Sequence, residues 1–321
     1  MLNEISLNKA SVIMRTYNQE DTIAQAIESV LAQQCDFKYE IIIGEDCGND
    51  NTRNICIDYQ SKFPHIIKLV LFEKNVGLVK NWIACIQEST GKYITSCSGD
   101  DYWHNTHKLK LQVDYMESNP ECGVLHTDYH VLNVNKNKIY KSVLKNKNSN
   151  IKQGFECQEA IFKGQLSICA PTVCFRKLLF DKYIPVNDYI TLNFPIEDWP
   201  TWIIFSKYSK IDYLPISTLT YRKGHESASN LLGYEKVIKK YALEKILYKY
   251  ICNLFPESFQ YDENHYEKYI NSILLNIAYK KFDFSNAKKY GKLNYNSFKV
   301  KCSQNYFTFL MFCLCKKFNI F

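Results

Sequence analysis

Ser11-Val-Ile-Met-Arg-Thr-Tyr17, Tyr39-Glu-Ile-Ile-Ile-Gly44, Ile66-Ile-Lys-Leu-Val-Leu-Phe72 and Lys92-Tyr-Ile-Thr-Ser-Cys97 are four short apolar runs, each of the length and β-branched content of a buried strand. Between them lie helix-like segments. Ile23, Ile27, Val30 and Leu31 recur at helical spacing with Asp21 as the expected cap, residues 52–62 follow the second run, and Val79, Trp82, Ile83 and Ile86 follow the third. Four alternations of strand and helix imply right-handed crossovers and an α/β fold, a mainly parallel sheet sandwiched by helices.

Beyond this region the rhythm changes. Residues 133–150 carry five lysines and six asparagines with little apolar periodicity, which predicts a solvated loop. A strand is expected at Thr172-Val-Cys-Phe175, a helix opening near Glu197, and two short strands within 211–222. From 231 the pattern is helical, near 231–254 and 263–281, which predicts a C-terminal helical appendage on a 1–230 domain.

The chain has 321 residues, 46% of them hydrophobic, enough to bury a core and too many for a wholly disordered or fibrous protein. Its 13 cysteines are odd in number and form no CxxC pair, so neither a disulfide framework nor a zinc site is expected. With no signal-peptide pattern at the start, the expected location is cytoplasmic. The net charge of +7 is uneven: residues 1–230 hold 25 basic against 26 acidic side chains, and residues 231–321 hold 15 against 7. That basic region ends in Tyr306-Phe-Thr-Phe-Leu-Met-Phe-Cys-Leu-Cys315 followed by Lys316-Lys317, shorter than the ~20 apolar residues of a membrane span. Two readings stay open for it: peripheral attachment to the cytoplasmic face of an inner membrane, or a final helix packed on the domain.

In open parallel sheets ligands bind beyond the carboxyl ends of the strands. There the polar residues collect: Thr16, Tyr17 and Asn18 after the first strand, Glu45 and Asp46 after the second, Asn75 after the third, Asp100 and Asp101 after the fourth. Adjacent carboxylates repel unless a cation lies between them, and oxygen donors suit Mg²⁺ or Mn²⁺; the competing reading is that Gly99-Asp100-Asp101 only turns the chain. Neither GxGxxG nor GxxxxGK[ST] is present, so a dinucleotide fingerprint and a P-loop are both excluded.

These residues, in order, resemble a known family. Thr16-Tyr17-Asn18 with Ile27-Glu-Ser-Val-Leu-Ala-Gln-Gln34, then Gly44-Glu-Asp46 with Asp50 and Thr52, Asn75-Val-Gly77 with Asn81-Trp82, Gly91-Lys-Tyr-Ile94, Ser98-Gly-Asp-Asp-Tyr-Trp103, Glu197-Asp-Trp199, and Tyr221-Arg222 with Ser227-Ala-Ser229 resemble family 2 glycosyltransferases of the GT-A fold, across roughly residues 10–230. The likeness is to enzymes of bacterial surface-polysaccharide assembly.

The resemblance implies inverting transfer of a hexosyl or N-acetylhexosaminyl group from a nucleotide-sugar, a UDP-sugar first, to a glycan or lipid-linked glycan in capsule, lipopolysaccharide or exopolysaccharide synthesis. It implies that Thr16 and Asp46 contact the nucleoside, Tyr17, Glu45 and Asn75 lie nearby, Asp100 is near the ribose and Asp101 on Mn²⁺ or Mg²⁺. Ser98 stands where the commonest family form has a further Asp. Asp198 matches the general base, Glu197 a supporting acid, and Arg222 a stabiliser of the leaving diphosphate. His225 matches a metal-approaching His one position late. Trp103 and Trp199 are either walls for the acceptor sugar or core residues. A nucleotidyltransferase is the alternative enzyme class, but it lacks the acidic helix start and favours a Gly-rich basic loop after the first strand. A non-catalytic basic interaction protein is the other alternative. The tail interleaves charge with long apolar runs, so no nucleic-acid partner is expected.

Overall fold

The computed structural model describes residues 8–147, 151–224 and 234–280, with 283, 285–286 and 289–290. The chain divides into two compact units, Met1–His225 and Glu226–Phe321.

The first unit opens with β1 (Ala10–Thr16), α1 (Ile23–Leu31), β2 (Tyr39–Glu45), α2 (Thr52–Lys62), β3 (Ile67–Leu71), α3 (Leu78–Gln87) and β4 (Tyr93–Ser96). β1 pairs in parallel with both β2 and β4, and β2 with β3, so the spatial order β3-β2-β1-β4 reverses direction of growth after β1. Val12 and Met14 pack with Ile23, Ala26 and Ile27 of α1 in the core cluster, while alternate β1 residues face the other layer of helices.

The rest of the unit comprises β5 (Tyr102–Trp103), α4 (Lys108–Ser118), β6 (Cys122–Asn133), β7 (Lys138–Tyr140), α5 (Val143–Lys147), α6 (Cys157–Phe162), β8 (Cys174–Arg176), α7 (Lys177–Tyr183), α8 (Val186–Thr191), α9 (Asp198–Tyr208) and β9 (Lys210–Lys223). The sheet order is β3-β2-β1-β4-β8-β6-β9-β5, with β7 on β6. β8, β5 and β7 join antiparallel; β6 and β9 run parallel.

Three local expectations change. Asp21 does not cap α1: Thr22 is the N-cap residue, it makes no side-chain cap bond, and its Oγ1 donates to Gly99 O at 2.8 Å, tying the helix start to the loop after β4. The stretch 133–147 is not simply a solvated loop, because β7 pairs on the end of β6 and Asp128 accepts the N–H groups of Leu144 and Lys145 at the start of α5; residues 148–150 lie outside the described residues. The two short strands within 211–222 are one 14-residue strand. Its register against β6 jumps from Thr127↔Leu214 to Asp128↔Ser217, and this bulge accommodates Pro215, which has no N–H for the ladder.

The second unit contains α10 (Tyr234–Leu254) and α11 (Glu263–Lys280), packed through Val237, Leu274, Leu275 and Ala278. Tyr266 donates its hydroxyl to Tyr241 O at 2.9 Å, and Lys245 pairs with Glu263 at 2.5 Å. Among the described residues no helix is long and apolar enough to cross a membrane. The Tyr306–Lys317 tail lies outside the described residues.

Candidate active site

Because β1 to β4 are parallel, their carboxyl ends share one edge, and the loops there are knitted to each other. Asn18 adopts φ 51 and its Oδ1 accepts the Asn49 N–H at 2.7 Å. Gln19 N donates to Thr52 Oγ1 at 2.8 Å, Glu20 N to Asp50 Oδ2 at 3.0 Å, and Asn51 N to Glu20 Oε2 at 2.8 Å. Asp50 and Thr52 thus serve to clasp the first loop to the second.

Asp46 is buried, and its carboxylate accepts the N–H groups of Val76 at 2.7 Å and Gly77 at 2.9 Å. Burial raises its pKa and the two N–H groups pull it back. Asn75, which is exposed, donates its amide to Asp46 O at 3.3 Å. Each Asp46 oxygen thus accepts one backbone N–H, which fixes the orientation of the carboxylate. Glu45 acts differently. Fully buried, it pairs with Arg53 and accepts the Gly48 N–H at 2.6 Å, which holds the second loop. Thr16 is buried with an unpartnered Oγ1, and Tyr17 is 43% exposed.

The loop after β4 crosses the end of β1 at Gly99, where a Cβ would come within 2.4 Å of Gln19 Oε1 and 2.8 Å of Thr16 Oγ1. Only glycine allows so close an approach. Asp101 is fully buried; its Oδ1 accepts the backbone N–H of Arg222 at 2.9 Å, and its Oδ2 has no hydrogen-bond partner. Burial, then the neighbouring Asp100 charge, lifts the Asp101 pKa well above the carboxylate range. The Arg222 guanidinium donates to Asp100 O at 2.6 Å and to Gln25 Oε1, and lies 5.0 Å from the centre of the Tyr102 ring. It therefore braces the loop that carries both aspartates.

An unpartnered buried carboxylate oxygen beside a second carboxylate is a donor set that fits a divalent cation. Among the described residues no group of three or more His, Cys, Asp or Glu side chains forms a metal cage. Mg²⁺ and Mn²⁺ need none where one or two carboxylates are supplemented by water and substrate phosphates. His225 and Ser227–Ser229 lie outside the described residues.

The acidic pair stands at the opening of α9. Glu197, 4% exposed, is the N-cap residue without a side-chain cap bond, and its Oε1 lies 2.5 Å from Arg15 Nη1. Asp198 is half-buried, and its Oδ1 accepts the Trp199 N–H at 2.7 Å. Withdrawal from water, then the Glu197 charge, raises its pKa to about 6, against the pull of that N–H and of Arg15. Arg15, Ser96, Ala170, Glu197, Asp198 and Trp202 are among the residues lining a cavity beside it.

Of the two tryptophans, Trp103 is 3% exposed within the core cluster, with Lys108 Nζ 4.9 Å from its ring centre, so the core reading describes it rather than a sugar wall. Trp199 is half-buried, donates Nε1 to Ile161 O at 3.2 Å and stacks on Phe162 with ring centres 6.0 Å apart. That fastens α9 to α6.

Sequence reasoning missed Arg15 and Cys169. Arg15 carried a signal, a lone charge inside an apolar strand run, which demands a buried partner. Cys169, at the start of a 3-10 turn over Ala170–Thr172, carried none. Burial and the negative charges of Asp101 and Asp198, in that order, lift its thiol pKa well above the usual thiol range.

Residues 11–183 match the sequence profile of glycosyl transferase family 2. A relative from Escherichia coli, the UDP-Glc:alpha-D-GlcNAc-diphosphoundecaprenol beta-1,3-glucosyltransferase WfgD, is 30% identical over 125 residues, 39% of this chain and 47% of its own. The chain spans about a third to a half of the length of the curated relatives it matches. Among solved structures, S. aureus TarS 1-349 in complex with UDP-GlcNAc superimposes with a TM-score of 0.56 at 20% identity, over 92% of this chain and 76% of that one. The mannosyltransferase PcManGT of Pyrobaculum calidifontis, in complex with GDP-Man and Mn²⁺, does so with a TM-score of 0.52 at 14% identity, over 94% and 84%. The parallel edge, the Asp100-Asp101 loop, the acidic opening of α9 and the profile match agree: this chain belongs to glycosyl transferase family 2 and has the GT-A fold.

Proposed function

We propose that the protein transfers one sugar, with inversion, from a nucleotide-diphosphate sugar to a hydroxyl of a glycan or lipid-linked glycan acceptor in bacterial polysaccharide synthesis. The observation that carries this reading is the buried, unpartnered Oδ2 of Asp101 on the loop after β4, together with Asp198 opening α9 beside a cavity lined by Arg15, Ser96 and Glu197. In such a transfer the base and the leaving diphosphate must flank one anomeric carbon.

Asp198 takes the acceptor proton; a pKa of about 6 keeps it ionised at neutral pH yet more basic than an exposed carboxylate. Thr16 Oγ1 and Asp46 receive the nucleoside, with Tyr17 and Asn75 at the rim. Asp101, with Asp100, would hold Mn²⁺ or Mg²⁺, which supplies positive charge to the diphosphate when bound. Arg222 keeps those carboxylates in place. A UDP-sugar donor and a lipid-linked acceptor are favoured by what the E. coli relative and the TarS complex are named for.

Thermal melts with UDP-, GDP- and dTDP-sugars plus Mn²⁺ test the reading. A donor that raises Tm in the wild type and not in Asp101→Ala supports it, and no shift with any of them refutes it. The basic C-terminal region is assigned to an anionic membrane surface. Removing residues 305–321 should abolish sedimentation with anionic liposomes, and unchanged sedimentation defeats that assignment.

A further inference from the structure

We propose that Arg15 is a positioning residue for the reaction: its buried ion pair with Glu197 neutralises one of two adjacent carboxylates and so leaves Asp198 alone as the base. The inference rests on the reading of Asp198 given above.

Along β1 the side chains alternate, so Val12 and Met14 enter the α1 core while Ile13 and Arg15 line the cavity on the opposite face. Arg15 occurs one residue before the end of the strand, paired in register with Gly44. Its side chain is 12% exposed and that of Glu197 5%, with Nη1 and Oε1 2.5 Å apart; the pair is a charge contact, for Nη1 makes no hydrogen bond of regular geometry. Glu197 does not cap its own helix, so its carboxylate is committed to Arg15. Asp198, which lines the same cavity, feels the guanidinium charge as well, while the near contact of Arg15 is made to Glu197.

The titratable and charged groups facing Asp198 are Glu197 beside it, Arg15 from β1 and the Cys169 thiol from the segment before β8. β4 contributes the neutral hydroxyls of Thr95 and Ser96. Two neighbouring carboxylates in a dry site share a proton unless a cation separates them. Arg15 is that cation. Its contact with Glu197 ties one carboxylate of the pair to β1 and leaves Asp198 free to meet the acceptor.

The test reads Asp198 directly. Carboxyl-¹³C-aspartate labelling, with Asp198→Asn identifying the resonance, gives its titration without any substrate. In Arg15→Gln the midpoint should rise by about one pH unit or more, in Glu197→Gln it should fall, in the double variant it should return near the wild type, and Arg15→Lys should restore it in part. Circular dichroism checks that each variant folds, and the double variant, which leaves no unpaired buried charge, keeps the test usable if Arg15→Gln does not fold. An unmoved midpoint in Arg15→Gln, or failure of the double variant to reverse the shift, overturns the proposal. UDP release from UDP-GlcNAc by Asp198→Asn reports separately on the base. Wild-type release there would remove the catalytic reading, whatever the titrations show.

Discussion

The backbone N–H of Arg222, near the end of β9, donates to Asp101 Oδ1 at 2.9 Å and leaves Oδ2 of the same carboxylate buried and unpartnered. One oxygen is thereby fixed by the sheet and the other makes no hydrogen bond. Asp101→Asn, which keeps the shape and the bond to Arg222 but lowers the charge, should retain the fold and lose Mn²⁺-dependent stabilisation by a nucleotide-sugar. Calorimetric titration of donor with and without Mn²⁺ checks this; a metal-dependent gain equal to that of the wild type contradicts it.

Asp198→Asn should reduce the transfer rate by about 10²–10⁴-fold while donor affinity stays within about twofold, since a general base acts in the transition state. The pH profile follows from the same group. Its folded pKa is raised from 3.8 to about 6, so kcat should fall as pH drops through about 6. A raised carboxyl pKa favours the protonated folded state, so the wild type loses stability as pH rises from about 4 to 6. At pH 7 Asp198→Asn should therefore melt higher than the wild type, by a few degrees, and this advantage should vanish at pH 4. Parallel melts at the two pH values decide it.

Lys108 is fully buried; its Nζ donates to Gln112 Oε1 at 2.5 Å, and burial depresses its pKa from 10.5 to about 8. Between pH 8 and 10.5 the unfolded chain then binds more protons than the folded one, so this residue makes stability rise with pH across that window. In Lys108→Met the contribution should be absent. The difference between the two unfolding free energies, measured by urea titration across the window, should change by on the order of 1 kcal/mol or more.

Gly99→Ala should destabilise by about 1–3 kcal/mol, because the new methyl meets Thr16 Cβ, 2.9 Å away on a central strand, besides the movable end of Gln19. Displacing the loop also displaces Asp100 and Asp101. Donor affinity should fall about tenfold even under conditions where the variant is fully folded, which equilibrium dialysis with a nucleotide-sugar would measure.

Local pattern was sufficient where neighbours in sequence are neighbours in function. The apolar runs at 11–17, 39–44, 66–72 and 92–97 emerge as β1 to β4 within a residue or two at each end, and the helices between them at the expected positions, because buried parallel strands and amphipathic helices each have their own period. The polar residues after those strands gather on one edge for the same reason. β6 was not legible: Cys122 to Tyr129 is almost continuously buried on both faces, so no alternation marks it, and its partners β8 and β9 come some fifty to ninety residues later. The single long β9 was masked by Pro215, which only a bulge against β6 makes acceptable.

The sequence by itself determined the α/β class and the edge on which Asp46, Asp100 and Asp101 collect, because the period of strands and helices and the polar loops after them are written in local pattern; Asp198 was marked by the family resemblance. What each carboxylate does was decided only by tertiary structure. Glu45 and Glu197 are as acidic in sequence as their neighbours, yet Arg53 holds the one and Arg15 the other, while an oxygen of Asp101 is left buried and unpartnered. The basicity and availability of a carboxylate depend on burial and on charges a few ångströms away, and those are brought together by folding, not by adjacency in the chain.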